Sequence, residues 1–397
     1  MFQTVLRLAL IASLLFVVAH CRAPLRGTDF GRESDAYLYA DHVEPEKWSD
    51  APLYRLVLFG DGGRPSPDDP TLELLGRWGD EHPEKTTVVY LGDNLYPAGL
   101  QDSDRARGEA VLMQQIEATR ADKILIPGNH DWGFTGADNL TAGVLANQQE
   151  FVDSKADLGA RFLPRDGCPG PEPVELVPAD ASLAGGLVLV VLDLHWWLLD
   201  QDERLVCKGI DGTSAFIERL REVLTAAHDR NVVVVAHHPV LSSGPHGGFT
   251  RGFWMDLGVA IFYRFYTVQD TIEPHYREMV AVLSEVLSEN PPLAMVGGHD
   301  HSLQVMKGGD IARLILVSGA GSGVTGVTSL DETLFAHAHR GFIVLDFHAV
   351  EREREADLAV HVVETGTDEP VFSLGVDLAR KQAPPEPVMV PDAAPAQ

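Results

Sequence analysis

Short apolar runs, each closed by a small residue and a polar one, set the rhythm of this chain. Tyr54–Gly60 (YRLVLFG) opens the series. Thr87–Leu91 (TVVYL), Lys123–Ile126, Leu187–Leu192 (LVLVVL), Val232–Ala236 (VVVVA) and Leu293–Val296 follow. Runs that are apolar at successive rather than alternate positions predict strands covered on both faces. Between them, apolar residues at spacings of three and four predict a helix from about Leu72, another over Gly108–Ala121, and an amphipathic one over Ser214–Arg230. From Ala312 onward the chain reads β-rich, through ARLILVSG, GFIVLDF, DLAVHVVE and PVFSLGV. The alternation of strand and helix is that of an α/β protein.

The two ends of the chain read differently from its body. Residues 1–20 carry Arg7 and then an apolar run from Leu8 to Ala19 (LALIASLLFVVA). A membrane span needs about 20 residues, so the run reads as an export signal, with an N-terminal membrane anchor as the alternative. Val18-Ala19-His20-Cys21 resembles a bacterial lipoprotein cleavage box, with His20 where Gly, Ala or Ser is usual. The expected location is the bacterial cell envelope after export, either as a lipoprotein attached to the membrane through a lipidated Cys21 or as a periplasmic or secreted protein. Residues 21–52 are polar and irregular and read as a tether. The proline-rich end, within 379–397, reads as a disordered tail.

Apolar residues make up 45% of the 397, which excludes a disordered chain. The charge excludes more. With 31 Lys and Arg against 58 Asp and Glu, the net charge is −27, which repels nucleic acid and anionic membrane surfaces. Any anionic substrate must be held by local positive charge. Of three cysteines, Cys21 is accounted for by lipidation. Cys168 and Cys207 are left either to pair in an oxidising compartment or to stay as buried thiols.

Five motifs follow the apolar runs: Gly60-Asp61-Gly62-Gly63, Gly92-Asp93-Asn94-Leu95-Tyr96, Gly128-Asn129-His130-Asp131, His237-His238-Pro239 and Gly298-His299-Asp300-His301. One such Asp or His is an ordinary cap or turn residue. Five in series, each at a strand end, point to ligand binding outside the carboxyl ends of the strands. Carboxylate, imidazole, amide oxygen and phenol suit hard or borderline metals, and the absence of cysteine disfavours a structural zinc site. The donors suffice for two ions sharing a carboxylate, the arrangement that clamps a phosphate ester for hydrolysis.

The motif series resembles the calcineurin-like metallophosphoesterase superfamily, and within it the purple acid phosphatases of the small, tartrate-resistant type. The likeness covers roughly residues 54–375 and extends to Gly298-His-Asp-His-Ser-Leu-Gln304 and Ser318-Gly-Ala-Gly321. It implies a four-layer sandwich over residues 53–378, two mixed β-sheets flanked by helices with the metals at strand C-terminal ends. Many superfamily members carry Asp-x-His after the first strand. Here Asp61-Gly62-Gly63 lacks the His, and Tyr96 stands ready to replace it, which is the purple-phosphatase pattern. The resemblance then implies Fe(III) bound by Asp61, Tyr96 and His301, with Asp93 bridging. A divalent ion (Fe, Zn or Mn) falls to Asn129, His237 and His299. His130 and His246 are the substrate-side histidines, and Asp131 and Asp300 orient other groups. Metals and ligands together leave the inner shell at about one net positive charge, enough for a small phosphorylated substrate in an acidic protein.

The implied activity is a metal-dependent phosphomonoesterase using direct attack of metal-activated hydroxide, with His130 or His246 protonating the leaving group. A phosphodiesterase or nucleotide pyrophosphatase would use the same metals, and a lipid-anchored binding protein with an inert site is a third alternative. Two features stand outside the pattern. Residues 249–275 form an insertion whose core, Phe249–Thr267, holds seven aromatic residues; it reads as a lid, a lipid- or partner-facing surface, or added core. His195-Trp196-Trp197, at another strand end, reads as pocket wall or packing.

Overall fold

Leu56 and Leu58 on the first long strand belong to one buried apolar layer, and their neighbours Val57 and Phe59 to another. This is why the strand reads as an unbroken apolar run: neither face meets water. The structure is a computed structural model, and it describes residues 37–38, 51–133, 141–179, 183–199, 204–247, 273–349 and 357–378. The expected export signal, Cys21, most of the tether, residues 379–397 and the aromatic stretch Phe249–Thr267 lie outside the described residues.

In chain order the strands are β1 (Tyr37–Leu38), β2 (Tyr54–Phe59), β3 (Thr86–Tyr90), β4 (Asp122–Leu125) and β5 (Ala160–Phe162). Then come β6 (Glu172–Val177), β7 (Leu187–Val191), β8 (Asn231–Val235), β9 (Ala294–Gly297) and β10 (Leu303–Lys307). The last are β11 (Leu314–Ser318), β12 (Thr333–His337), β13 (Gly341–Phe347), β14 (Leu358–Glu364) and β15 (Phe372–Val376). The α-helices are α1 (Pro70–Glu81), α2 (Arg105–Glu117), α3 (Thr141–Asp153), α4 (His195–Leu198), α5 (Thr213–Ala226) and α6 (Pro274–Glu289).

One sheet has seven strands in the order β15-β14-β13-β2-β3-β4-β5, the other eight in the order β1-β12-β10-β11-β9-β8-β7-β6. Each is mixed. β2 to β5 are parallel neighbours in the first, as are β7, β8, β9 and β11 in the second. The sheets pack face to face through Leu56, Leu58, Val89, Leu189, Val233, Val235 and Leu316. Helices α1, α2 and α3 cover the outer face of the first sheet, and α5 and α6 that of the second. The result is the four-layer α/β sandwich expected from the chain.

Local signals place the helix starts. Asp69 caps α1, its Oδ1 accepting the Thr71 and Leu72 amides, with Pro70 at the first position. Glu273 and Pro274 do the same for α6. Two helices go beyond the sequence reading. α3 buries Val144, Leu145, Gln148, Phe151 and Val152, and the buried glutamine interrupts its apolar stripe. α6 buries Tyr276, Met279, Leu283, Val286 and Leu287, and it begins inside the expected insertion. Within the expected tether, Tyr37 and Leu38 pair with Ala336 and Phe335 of β12.

Cys168 and Cys207 form a disulfide with Cα atoms 5.7 Å apart. His195, Trp196 and Trp197 are all buried in α4, with Trp197 against Phe216 and His195 beside Trp132 and His238. No helix among the described residues is long and apolar enough to cross a membrane.

Candidate metal centre

Each motif leaves the carboxyl end of a parallel strand. Asp61 follows β2, Asp93 follows β3, Asn129 follows β4, His237 follows β8, and His299 follows β9. At this edge the sheets are joined directly. The Gly60 amide donates to the Ser318 carbonyl at 2.7 Å, and the Gly321 amide to the Gly60 carbonyl at 3.0 Å. The small residues make this approach feasible. A Cβ on Gly128 would lie 2.3 Å from Asp93 Oδ1, and one on Gly298 2.7 Å from Asp61 Oδ2.

The backbone here is held in an uncommon conformation. Five non-glycine residues among those described have positive φ, and three of them are Asp61 (59°), Asp93 (52°) and His299 (66°). Such residues persist only where the surroundings over-determine them, and they concentrate at functional sites. Here the constraints are visible: the Asp61 amide donates to the Gly92 carbonyl at 3.0 Å, and the His299 amide to Asp61 Oδ2 at 2.8 Å.

The side chains fall into two groups. In the first, Tyr96 Oη donates to Asp61 Oδ1 at 3.0 Å and lies 3.1 Å from His301 Nε2, which is itself 3.3 Å from Asp61 Oδ1. In the second, His237 Nε2 lies 3.0 Å from Asn129 Oδ1 and 3.2 Å from His299 Nδ1. Asp93 adjoins both groups. Its Oδ1 is 3.5 Å from His237 Nε2, and its charge acts on Tyr96, helping to raise the phenol's pKa. Asp61, Asp93 and His237 each offer a ligand atom within 4.8 Å of the others. All seven side chains singled out from the sequence therefore gather at one place.

The two histidines expected beside the substrate flank the cluster. The His130 ring is 4.6 Å from that of Tyr96, and its amide donates to Asp93 Oδ1 at 2.9 Å. The His246 ring is 4.0 Å from that of His299, and its amide donates to Asp300 Oδ1 at 3.0 Å. Asp131 and Asp300 act as organisers. Asp131 accepts the amides of Asn94, Leu95 and Gly128 and the Gln148 side chain, binding the β3 and β4 loops to α3. Asp300 also accepts the Ser242 hydroxyl.

The electrostatics call for a cation. Burial alone lowers the affinity of His237 and His301 for a proton, yet the carboxylates of Asp61 and Asp93 outweigh it, so both imidazoles sit above their ordinary pKa. Burial, then Asp61 and Asp93, hold the Tyr96 phenol well above its usual value. Burial and the nearby Asp93 push Asp131 up to about 6. Among the described residues, the ion pairs of Asp61 and Asp93 are with histidines, not with Lys or Arg.

The donor set fits metal binding on the same grounds. With its Nδ1 hydrogen held by the Leu91 carbonyl at 2.8 Å, the neutral form of His237 presents a lone pair at Nε2 toward the Asn129 and Asp93 oxygens. Acceptors facing acceptors are stable only around positive charge. His246 Nδ1 is buried without a hydrogen-bond partner among the described residues, on a ring 4.0 Å from that of His299.

Comparisons with known proteins agree at the level of fold. No protein-family model matches the chain, and no curated protein matches it in sequence. Among solved structures it is similar to GAP50, the anchor in the inner membrane complex of Plasmodium, with a TM-score of 0.53 and 16% identity over 83% of this chain and 90% of that one. It is also similar to the purple acid phosphatase PPD1 from yellow lupin (Lupinus luteus) seeds, with a TM-score of 0.50 and 16% identity over 83% of this chain and 55% of that one. A phosphopantetheinyl hydrolase from Mycobacterium tuberculosis matches with a TM-score of 0.37 and 13% identity. The likeness to GAP50 and to PPD1 is one of fold.

One buried carboxylate of the neighbourhood was not singled out from sequence. Asp193 follows β7 as Asp61 follows β2, so the strand-end signal was present. It accepts the Trp132 indole N–H at 2.8 Å and the His195 amide at 3.0 Å.

Proposed function

We propose that this chain is a metal-dependent phosphoric ester hydrolase, a phosphomonoesterase of the acid phosphatase kind. The observation that carries the reading is the division of seven convergent side chains into an Asp61–Tyr96–His301 group and an Asn129–His237–His299 group, with Asp93 adjoining both. The first group would hold Fe(III), the second a divalent Fe, Zn or Mn, and Asp93 would bridge. When bound, the ions supply an activated water and neutralise charge on the phosphoryl oxygens.

The chain's own residues do the rest. Asp61 and Asp93 set the charge that retains the ions. Tyr96, a hard anionic donor once deprotonated, suits a trivalent ion. His246, anchored through its amide by Asp300, is placed beside His299 to hand a proton from its imidazole to the leaving oxygen. His130, anchored on Asp93 and against Tyr96, is the alternative donor from the other side. The Cys168–Cys207 disulfide fits a non-cytosolic compartment, and we place the protein in a bacterial envelope, exported by residues 1–20 and tethered at Cys21.

Asp93→Asn tests the reading. Metal content by mass spectrometry and turnover of p-nitrophenyl phosphate should fall together, by roughly 100-fold or more in rate, given that even outer partners of metal ligands are worth 10–100-fold. Faster turnover of bis(p-nitrophenyl) phosphate than of the monoester would move the assignment to a phosphodiesterase. The fold shared with an anchor protein favours one second reading, a scaffold with an inert site. Wild-type protein that binds no metal and turns over neither ester would establish it.

A further inference from the structure

Two arginines, Arg64 and Arg107, contact Tyr96, and a third, Arg340, donates to the Gly321 carbonyl; Arg107 and Arg340 are already ion-paired. Arg107 pairs with Asp104 while its guanidinium donates to the Tyr96 carbonyl at 3.2 Å. Arg340 is held on both oxygens of Asp69, at 2.7 and 2.9 Å. Arg64 has no carboxylate partner among the described residues. Its guanidinium lies over the Tyr96 ring, 5.1 Å from the centroid, and the residue is exposed.

The loop that carries Arg64 is pinned at both ends. On one side the Gly63 amide donates to the Asp93 carbonyl at 2.9 Å, and the Gly63 carbonyl accepts the Tyr96 amide at 3.2 Å. On the other the Ser66 amide donates to Asp69 at 3.0 Å, and Asp69 is clamped by Arg340. Arg64 therefore stands at a set place, one aromatic ring away from the phenol oxygen that meets Asp61 and His301. An exposed guanidinium with no carboxylate partner among the described residues, stacked on Tyr96 at the edge of the donor cluster in a protein of −27, is placed to meet an anion. The planar guanidinium matches a phosphate in two-point hydrogen bonding, and stacking on an aromatic face leaves its edge free to do so.

We propose that Arg64 forms a second phosphate subsite at the mouth of the metal centre, so that favoured substrates carry a second phosphoryl group next to the one cleaved. The proposal rests on the phosphoester reading given above and names the substrate class: small diphosphates and bisphosphates rather than simple monoesters.

Binding of methylenediphosphonate and methylphosphonate to the metal-reconstituted full-length protein tests it, measured by titration calorimetry. Wild type should bind the diphosphonate at least about tenfold more tightly. Arg64→Ala should bring that ratio close to one, and Arg64→Lys should restore only part of it, because a point charge lacks the fork. An unchanged ratio in Arg64→Ala overturns the subsite. A ratio near one in wild type overturns it as well. Turnover of p-nitrophenyl phosphate by the same wild-type sample reads the parent assignment separately. If turnover is absent while the ratio behaves as expected, the hydrolase reading fails and the phosphate subsite stands. If neither phosphonate binds, the subsite is refuted.

Discussion

The Asp193 carboxylate accepts the indole N–H of Trp132 at 2.8 Å, tying the end of β7 in one sheet to the loop that follows β4 in the other. That loop carries Asn129 and His130. Burial pushes Asp193 up to about 7, even though it also accepts the amides of His195 and Trp196. The site thus rests on a carboxylate that keeps its proton into the neutral range.

The sign of the consequence follows from linkage. An unfolded carboxylate loses its proton near pH 4, so between there and about 7 the native state holds a proton that the unfolded chain has released. Stability contributed by this group is present in full below pH 4 and is lost as pH rises through 7. Asp193→Asn removes the dependence. Relative to wild type, the variant should gain stability between pH 5 and pH 8, by no more than about 4 kcal/mol at about 1.4 kcal/mol per pKa unit. Urea midpoints at the two pH values decide it, and the same wild-type-to-variant difference at both would contradict the raised pKa.

His246→Ala should lower kcat by about 100-fold for esters with poor leaving groups and by much less for p-nitrophenyl phosphate. The reason is that a proton from this imidazole matters only when the departing oxygen is strongly basic. A series of aryl and alkyl phosphates measures the slope. Equal losses across the series would take the acid role away from His246.

Tyr96→Phe should remove any visible charge-transfer band of the iron-loaded protein while leaving the fold intact. Among the described residues the hydroxyl's hydrogen-bond partners are the site residues Asp61 and His301, so its loss leaves the core unchanged. A retained band would rule out Tyr96 as the iron ligand.

Cys168→Ser with Cys207→Ser should destabilise the protein by roughly 2–4 kcal/mol, because the bond closes a loop with a sequence separation of 39. Chemical denaturation under oxidising conditions compares the double variant with wild type. Equal midpoints would show that the bridge adds nothing to stability.

Much of this molecule is legible in the chain. The buried parallel strands read as apolar runs because both their faces are covered, and that property is local. The residues at their ends could be picked out because strand-end loops in such sheets have a restricted chemistry of Gly, Asp, Asn and His. Helix α3 was not legible in the same way, because Gln148 sits in its buried stripe to reach Asp131.

Convergence was a matter for the tertiary structure alone. Asp61 and His299 are 238 residues apart and meet only because β2 and β9 end at the same edge of facing sheets. Asp193 and Arg64 show the same limit from two sides. The first looks like any strand-end aspartate until burial and Trp132 give it a role, and the second is one arginine among many until the Gly63 clasp sets it over Tyr96. Hydrophobic periodicity records which face of an element is dry. It carries no record of which distant polar groups share that edge, because those contacts depend on how the layers stack.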